Sequence, residues 1–152
     1  MSNEVTTNFN MEPFLLDGAP LTKEDSVILQ DAQRATPLVF GTLMAQVAAS
    51  RKYVPFTDET AVDGTAIPCG IYIGPDITAA ALVAGDVTNC NIAVRGDSLS
   101  VYDAAQLVIE NSKTLNTVIG ALSIHAKTVR QYLLELGISF SNTVEIDAYE
   151  NT

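Results

Sequence analysis

Few residues in this chain have the types and spacing that chemistry needs. Its one histidine, His125, lies in a stretch with helical periodicity. A general base needs a nucleophile within hydrogen-bond reach, and no nearby Ser or Cys stands out as one. One histidine also falls short of a typical metal site. A structural or exposed histidine is the expected role. Cys69 and Cys90 are not in a metal-ligand spacing, and each sits among small or apolar residues. They read as small buried thiols in a reducing compartment, with a disulfide left open by the sequence. Residues 58–64, Asp-Glu-Thr-Ala-Val-Asp-Gly, lack the alternating ligands and distal glutamate of a calcium loop. A solvated turn is expected there. Glu145 and Asp147 would share one face of a strand, with Glu150 beyond. A weak cation site is conceivable, but a charged strand end that discourages edge pairing is the simpler reading. Arg95-Gly96-Asp97 spells a cell-adhesion tripeptide, and a tight turn between strands explains its Gly and Asp without any receptor. Gly-rich phosphate loops, nucleophile elbows and zinc spacings are absent. No nucleophile, base and oxyanion site assemble, so the chain is expected to be no enzyme and to need no cofactor and no metal.

The elements that would position these residues are mostly strands. Residues 38–47, broken by Gly41, and residues 52–56 are candidate strands. A polar loop over 57–65 closes in Asp63-Gly64, a strong turn dipeptide. Residues 67–73 form a third strand, ended by Gly74-Pro75-Asp76. Residues 78–84 are Ala-rich and fit a helical turn or a strand. Residues 87–95 and 99–102 read as strands with Gly96-Asp97 turning between them. Residues 103–111 fit helix or strand, and 114–120 carry no clear pattern. Residues 123–136 are the clearest helix: Ala126, Val129, Leu133 and Leu136 share one face, with Tyr132 beside them. Gly137 follows as its C-terminal cap, and residues 138–146 read as a closing strand. The class is α+β: a small β-rich, sandwich- or barrel-like domain with one or two short helices.

The N-terminal 36 residues differ. Asn, Thr and Glu dominate the first dozen, and Pro13 and Pro20 interrupt regular structure. Thr22 and Asp25 fit a capping box, with Asp in place of Glu, for a short helix through Gln33. Phe9, Phe14, Leu15 and Leu16 are too few for a core. Residues 1–36 therefore read as an extended arm, and residues 37–152 as the folded body.

Composition narrows the function classes. The chain has 152 residues, 47% of them hydrophobic, with 7% aromatics and no Trp. That length can bury a core without disulfides or metals. Eight Lys and Arg stand against eighteen Asp and Glu, a formal net charge of −10. The scattered cations make no basic patch, so neither nucleic acid nor an anionic membrane is an expected partner. No membrane-length apolar run and no signal peptide is seen, so synthesis in the cytoplasm is expected.

One ordered set of motifs carries a resemblance. Thr36-Pro37-Leu38, Ser50-Arg51-Lys52-Tyr53-Val54, Asp63-Gly64-Thr65-Ala66, Gly70-Ile71, Asp76 and Val94-Arg95-Gly96-Asp97 occur in that order. With the closing Leu136-Gly137-Ile138, they resemble the core of the lambda-type bacteriophage head decoration proteins over roughly residues 36–140. The N-terminal region is long for that family, and residues 103–120 depart from its pattern. The resemblance implies a capsid-stabilising protein, a homotrimer at three-fold and quasi-three-fold sites on the outer surface of the expanded head. It further implies an arm that adds a strand to the major capsid protein. Thr6, Thr7, Phe9, Phe14, Leu15 and Leu16 are the expected capsid contacts. A rival of another class is a virion-exposed β-rich adhesion or carbohydrate-binding module, which would need an exposed aromatic platform.

Overall fold

The structure, a computed structural model, describes residues 14–96 and 100–141. These residues form strands β1 (Leu15–Asp17), β2 (Pro20–Ile28), β3 (Leu43–Gln46), β4 (Tyr53–Pro55) and β5 (Pro68–Tyr72). After them come helix α1 (Ala79–Ala84), β6 (Val87–Gly96), β7 (Ser100–Asp103), β8 (Val118–Ile119), β9 (Lys127–Thr128), helix α2 (Val129–Glu135) and β10 (Ile138–Ser141). A 3-10 turn over Ala104–Gln106 is capped by Asp103. The β-rich α+β class expected from the sequence is the observed one.

Five strands close into a barrel in the order β2-β4-β3-β5-β6. Every neighbouring pair is antiparallel except β2 and β4, which meet in parallel at Ile28 and Tyr53. The long β2–β6 pairing shifts register three times, after Leu21, Lys23 and Ser26. Such irregularities bend and twist a strand, which lets so small a sheet curl onto itself.

The pleat sends alternate side chains to opposite faces, and here both faces are buried. Ile28, Met44, Tyr53, Tyr72, Cys90 and Ile92 belong to one apolar cluster. All five barrel strands contribute to it, so it fills the lumen. Leu82 of α1 joins the same cluster. Thr78 caps that helix, its Oγ1 accepting from the Ala81 N–H at 3.1 Å. On the outer face, Leu43, Ala45, Ile71, Ile73 and Ala93 pack with Phe14, Tyr102, Val129, Leu133, Ile138 and Phe140. A second layer, the sheet β1-β7-β10 with α2, is thus fixed to the barrel wall. Each large apolar side chain buried there contributes about 1.5–3 kcal/mol.

Two glycines are dictated by contact. A Cβ on Gly70 would stand 2.7 Å from Ile92 Cγ2 and 2.9 Å from the Ala93 carbonyl oxygen, so β5 and β6 close only without one. Gly41 has φ +90°, and a Cβ there would meet the Gln106 carbonyl oxygen at 2.8 Å. Its N–H donates to Tyr72 O while its carbonyl accepts from Val108 N–H, binding the strand break to two layers at once.

Three expectations are corrected. Of the helix expected over residues 22–33, residues 22–28 instead belong to β2, a barrel strand, and 29–33 are neither helix nor strand. Its local Thr-Lys-Glu-Asp signal loses to the pairing of six β2 residues with β6. Consequently the division expected at residue 36 falls inside the fold: β1 and β2 belong to the body, and of that stretch only 1–13 lie outside the described residues. Third, the helix expected over 123–136 begins at Val129. Thr128 and Gln131 make a reciprocal capping box that starts it. Residues 118–128 form a β8–β9 hairpin. The cap expected at Gly137 is present, with φ +80° and its N–H on Leu134 O at 2.9 Å. Of the closing strand expected over 138–146, residues 138–141 are strand and the remainder lies outside the described residues.

Candidate interaction surface

Of the residues expected to touch a capsid, Phe14, Leu15 and Leu16 are among the described residues. Thr6, Thr7 and Phe9 lie outside the described residues. Phe14 is 1% exposed, its ring 4.8 Å from Tyr102 and edge-on to Phe40 at 5.6 Å. It is a core residue of this chain and closed to a partner, which corrects its expected role. Its carbonyl also accepts from the Asp103 N–H at 2.7 Å. Leu15 and Leu16 are half-buried in β1, and Leu15 packs against the same core. The sequence alone made these residues too few for a core; long-range contacts supply the rest of it.

β1 and β10 flank β7 on opposite sides, β1 antiparallel and β10 parallel to it. Leu15 and Phe140 both stand in register with Tyr102. The chain therefore enters β1 and leaves β10 at the same end of one sheet, two strand spacings or roughly 10 Å apart. Residues 1–13 and 142–152 are joined to the body there.

The other singled-out groups among the described residues are explained by structure. His125 is exposed in the hairpin tip, its backbone N–H bonded to Ser123 Oγ at 3.0 Å. Asp58 and Asp63 each accept from the backbone N–H and hydroxyl of the residue two further on, Thr60 and Thr65, which is turn chemistry. These bonds hold both carboxyls below their usual range. Among the described residues no group of three or more His, Cys, Asp or Glu could hold a metal ion. Glu145, Asp147 and Glu150 lie outside them, as does Asp97. Arg95 and Gly96 end β6, where the Gly96 N–H donates to Leu136 O at 2.8 Å. Cys69 and Cys90 are both free thiols. Burial pushes the Cys69 thiol up to about 12, so it is a poor nucleophile. No helix among the described residues is long and apolar enough to cross a membrane.

A cavity of about 220 Å³ opens between the 28–38 segment, β4 and α1, with Ile28, Leu38, Val54 and Leu82 on its walls. Arg34 and Glu110 stand at its edge in a two-pronged ion pair, Nη1–Oε1 at 2.7 Å and Nη2–Oε2 at 2.5 Å. Arg34 also donates to the carbonyls of Thr36 and Pro37. The guanidinium is thus committed to holding loop 31–37 on the 107–110 segment and has little left for a ligand.

The most exposed apolar side chains lie elsewhere. Leu122 and Ile124, in the β8–β9 hairpin, are 106% and 95% exposed, with Val118 exposed below them, and Val62, in the 57–65 loop, is 100% exposed. A groove beside them is lined by Glu59, Thr60, Val118 and Leu122. Glu59 is tied to Lys113 at 2.8 Å, which fixes the 57–65 loop beside the segment that leads into the hairpin. Isolated exposed leucines are ordinary; three exposed apolar side chains on one hairpin make it the candidate surface. Sequence reasoning missed it by placing Ile124 in a helix. The signals were present: Leu122-Ser123-Ile124 alternates, and Thr128-x-x-Gln131 places a helix start further on.

A scan against protein-family models, a search of curated proteins and a search of solved structures each found no match to this chain. The decoration-protein resemblance therefore stands on its motifs alone.

Proposed function

We infer that this chain is a non-enzymatic assembly protein, a phage head decoration protein that binds the major capsid protein as a homotrimer on the outer surface of the expanded head. The observation that carries the reading is the common exit of both terminal segments beside Tyr102. A body whose two terminal segments depart from one end has one face from which to reach a partner. The ordered motifs between residues 36 and 140 supply the class of partner.

The reaching segment is residues 1–13, shorter than the sequence implied. Extended, thirteen residues span at most about 43–47 Å. Fixing them costs roughly 1–2 kcal/mol per residue, which strand addition to a sheet edge offsets through backbone hydrogen bonds. One such segment binds weakly; three on one trimer gain through effective concentration. The net charge of −10 keeps unbound bodies apart.

A carbohydrate-binding reading gains nothing from the aromatics. Tyr53, Tyr72 and Tyr102 are buried, and Tyr132 is half-buried beneath Lys127 Nζ at 5.3 Å. Among the described residues they make no exposed platform.

The test is deletion of residues 2–13, which spares Phe14 and the body. Co-sedimentation with expanded, decoration-free heads should fall at least tenfold, with the melting temperature of the free protein unchanged. Undiminished binding would remove the N-terminal segment from the mechanism.

A further inference from the structure

The cavity of about 220 Å³ between the 28–38 segment, β4 and α1 is apolar over much of its lining. Leu29, Val54 and Pro55 are half-buried around it, and Ile28, Leu38 and Leu82 are buried behind them. An apolar protein cavity of about 150 Å³ already admits benzene. This one has room for a short alkyl chain. Its donors, however, are nearly all committed. The backbone N–H groups of Leu29, Asp31 and Arg34 bond to Tyr53 O, Leu82 O and Asp31 O at 2.9, 3.0 and 3.1 Å. That of Gln30 bonds to Asp86 Oδ1 at 2.8 Å, and its side-chain nitrogen to Val83 O at 2.7 Å. Arg34 makes four side-chain hydrogen bonds, two to Glu110 and one each to Thr36 O and Pro37 O. An anion entering here would find almost no donor.

Acceptors are in surplus. Asp31 Oδ1 accepts from the Gln33 N–H at 2.9 Å, and Oδ2 accepts no hydrogen bond among the described residues. Asp31 and Glu110 both attract the Arg34 guanidinium. Two carboxylates thus share one cation on the lining, which leaves one negative charge over. Lys52 does not cancel it, because it pairs with Asp86, the acceptor of the Gln30 N–H. Apolar walls under a rim rich in acceptors and poor in donors select a ligand with an apolar body and a cationic, donating head.

We propose that this cavity binds a primary alkylammonium group. The alkyl chain lies against Leu29, Val54 and Leu82, and the ammonium donates to Asp31 Oδ2 beside Glu110. The same chemistry reaches the site as a free amine or as a lysine side chain of another protein. The site belongs to the isolated body and is independent of any capsid.

Amide NMR of the full-length protein, titrated with n-butylammonium, tests this. Shifts should saturate and concentrate at Leu29, Gln30, Asp31, Val54 and Leu82. The uncharged n-butanol should bind at least tenfold more weakly. Asp31→Asn keeps the Oδ1 acceptor for the Gln33 N–H and removes the charge. At that exposed position folding is not at risk, and n-butylammonium binding should weaken about tenfold. Nα-acetyl-lysine methylamide separates the two sources. Binding at least as tight as that of n-butylammonium supports a lysine side chain, and weaker binding supports a free amine. Shifts that never saturate, that scatter over the acidic surface, or that persist unchanged in Asp31→Asn would overturn the proposal. So would n-butanol binding as tightly as the amine.

Discussion

Leu15 and Phe140 oppose the same residue, Tyr102, from the two sides of β7. The ring of Tyr102 lies between Phe14 at 4.8 Å and Phe140 at 5.9 Å, so the strands carrying the chain's two ends are locked through one aromatic stack. Phe14→Ala should therefore act as a core mutation, costing about 3–5 kcal/mol in urea unfolding. A loss below about 1 kcal/mol would return Phe14 to the arm.

Tyr102 also carries a buried hydroxyl with no hydrogen-bond partner among the described residues. Such a group is stranded from water at a cost of about 1–3 kcal/mol. Tyr102→Phe keeps the ring and removes the stranded oxygen. It should leave the melting temperature unchanged or raise it. A clear fall would show that the hydroxyl is bonded by another part of the chain.

The Arg34–Glu110 pair should behave as a buried clamp. The side chains are only 7% and 21% exposed. Glu110→Ala leaves the guanidinium enclosed without its counter-charge and should destabilise by about 3–5 kcal/mol. The double substitution Arg34→Met with Glu110→Leu should recover much of that loss, since two apolar side chains need no pairing. Equal losses in the single and double variants would contradict the clamp.

Alkaline pH should weaken the fold through two buried weak acids. Burial raises the Cys69 thiol and the Tyr102 phenol to about 12 each. In the unfolded chain they titrate near their ordinary values of about 8.5 and 10. Between those values and about 12 the unfolded state holds fewer protons than the folded one, so stability falls as pH rises through that window and is intact below it. Urea midpoints at pH 8 and pH 10.5 check the sign. Cys69→Ser should flatten the lower part of the slope.

The legible parts of the fold are those with local punctuation. Gly41, Pro55, Asp63-Gly64, Gly74-Pro75 and Gly85-Asp86 bracket the barrel strands, and β3 to β6 fall between them as read. Where the deciding contact is distant, local signals mislead. The exposed, charged centre of β2 looks helical because only pairing with β6 makes it a strand. Phe14 looks like an anchor for another molecule because Phe40, Tyr102 and Phe140 are far away in sequence. The candidate surface was hidden by periodicity. Ala126 matches the helical spacing of Val129 and Leu133, yet the Thr128 cap starts α2 only after it. His125 and Ala126 belong to the hairpin instead.

Decoration of an expanded head can be observed directly. Purified full-length protein should be mixed with expanded, decoration-free heads and imaged. Added density of three copies is predicted at the three-fold and quasi-three-fold positions and nowhere else. Heads that remain bare at saturating protein would contradict the account.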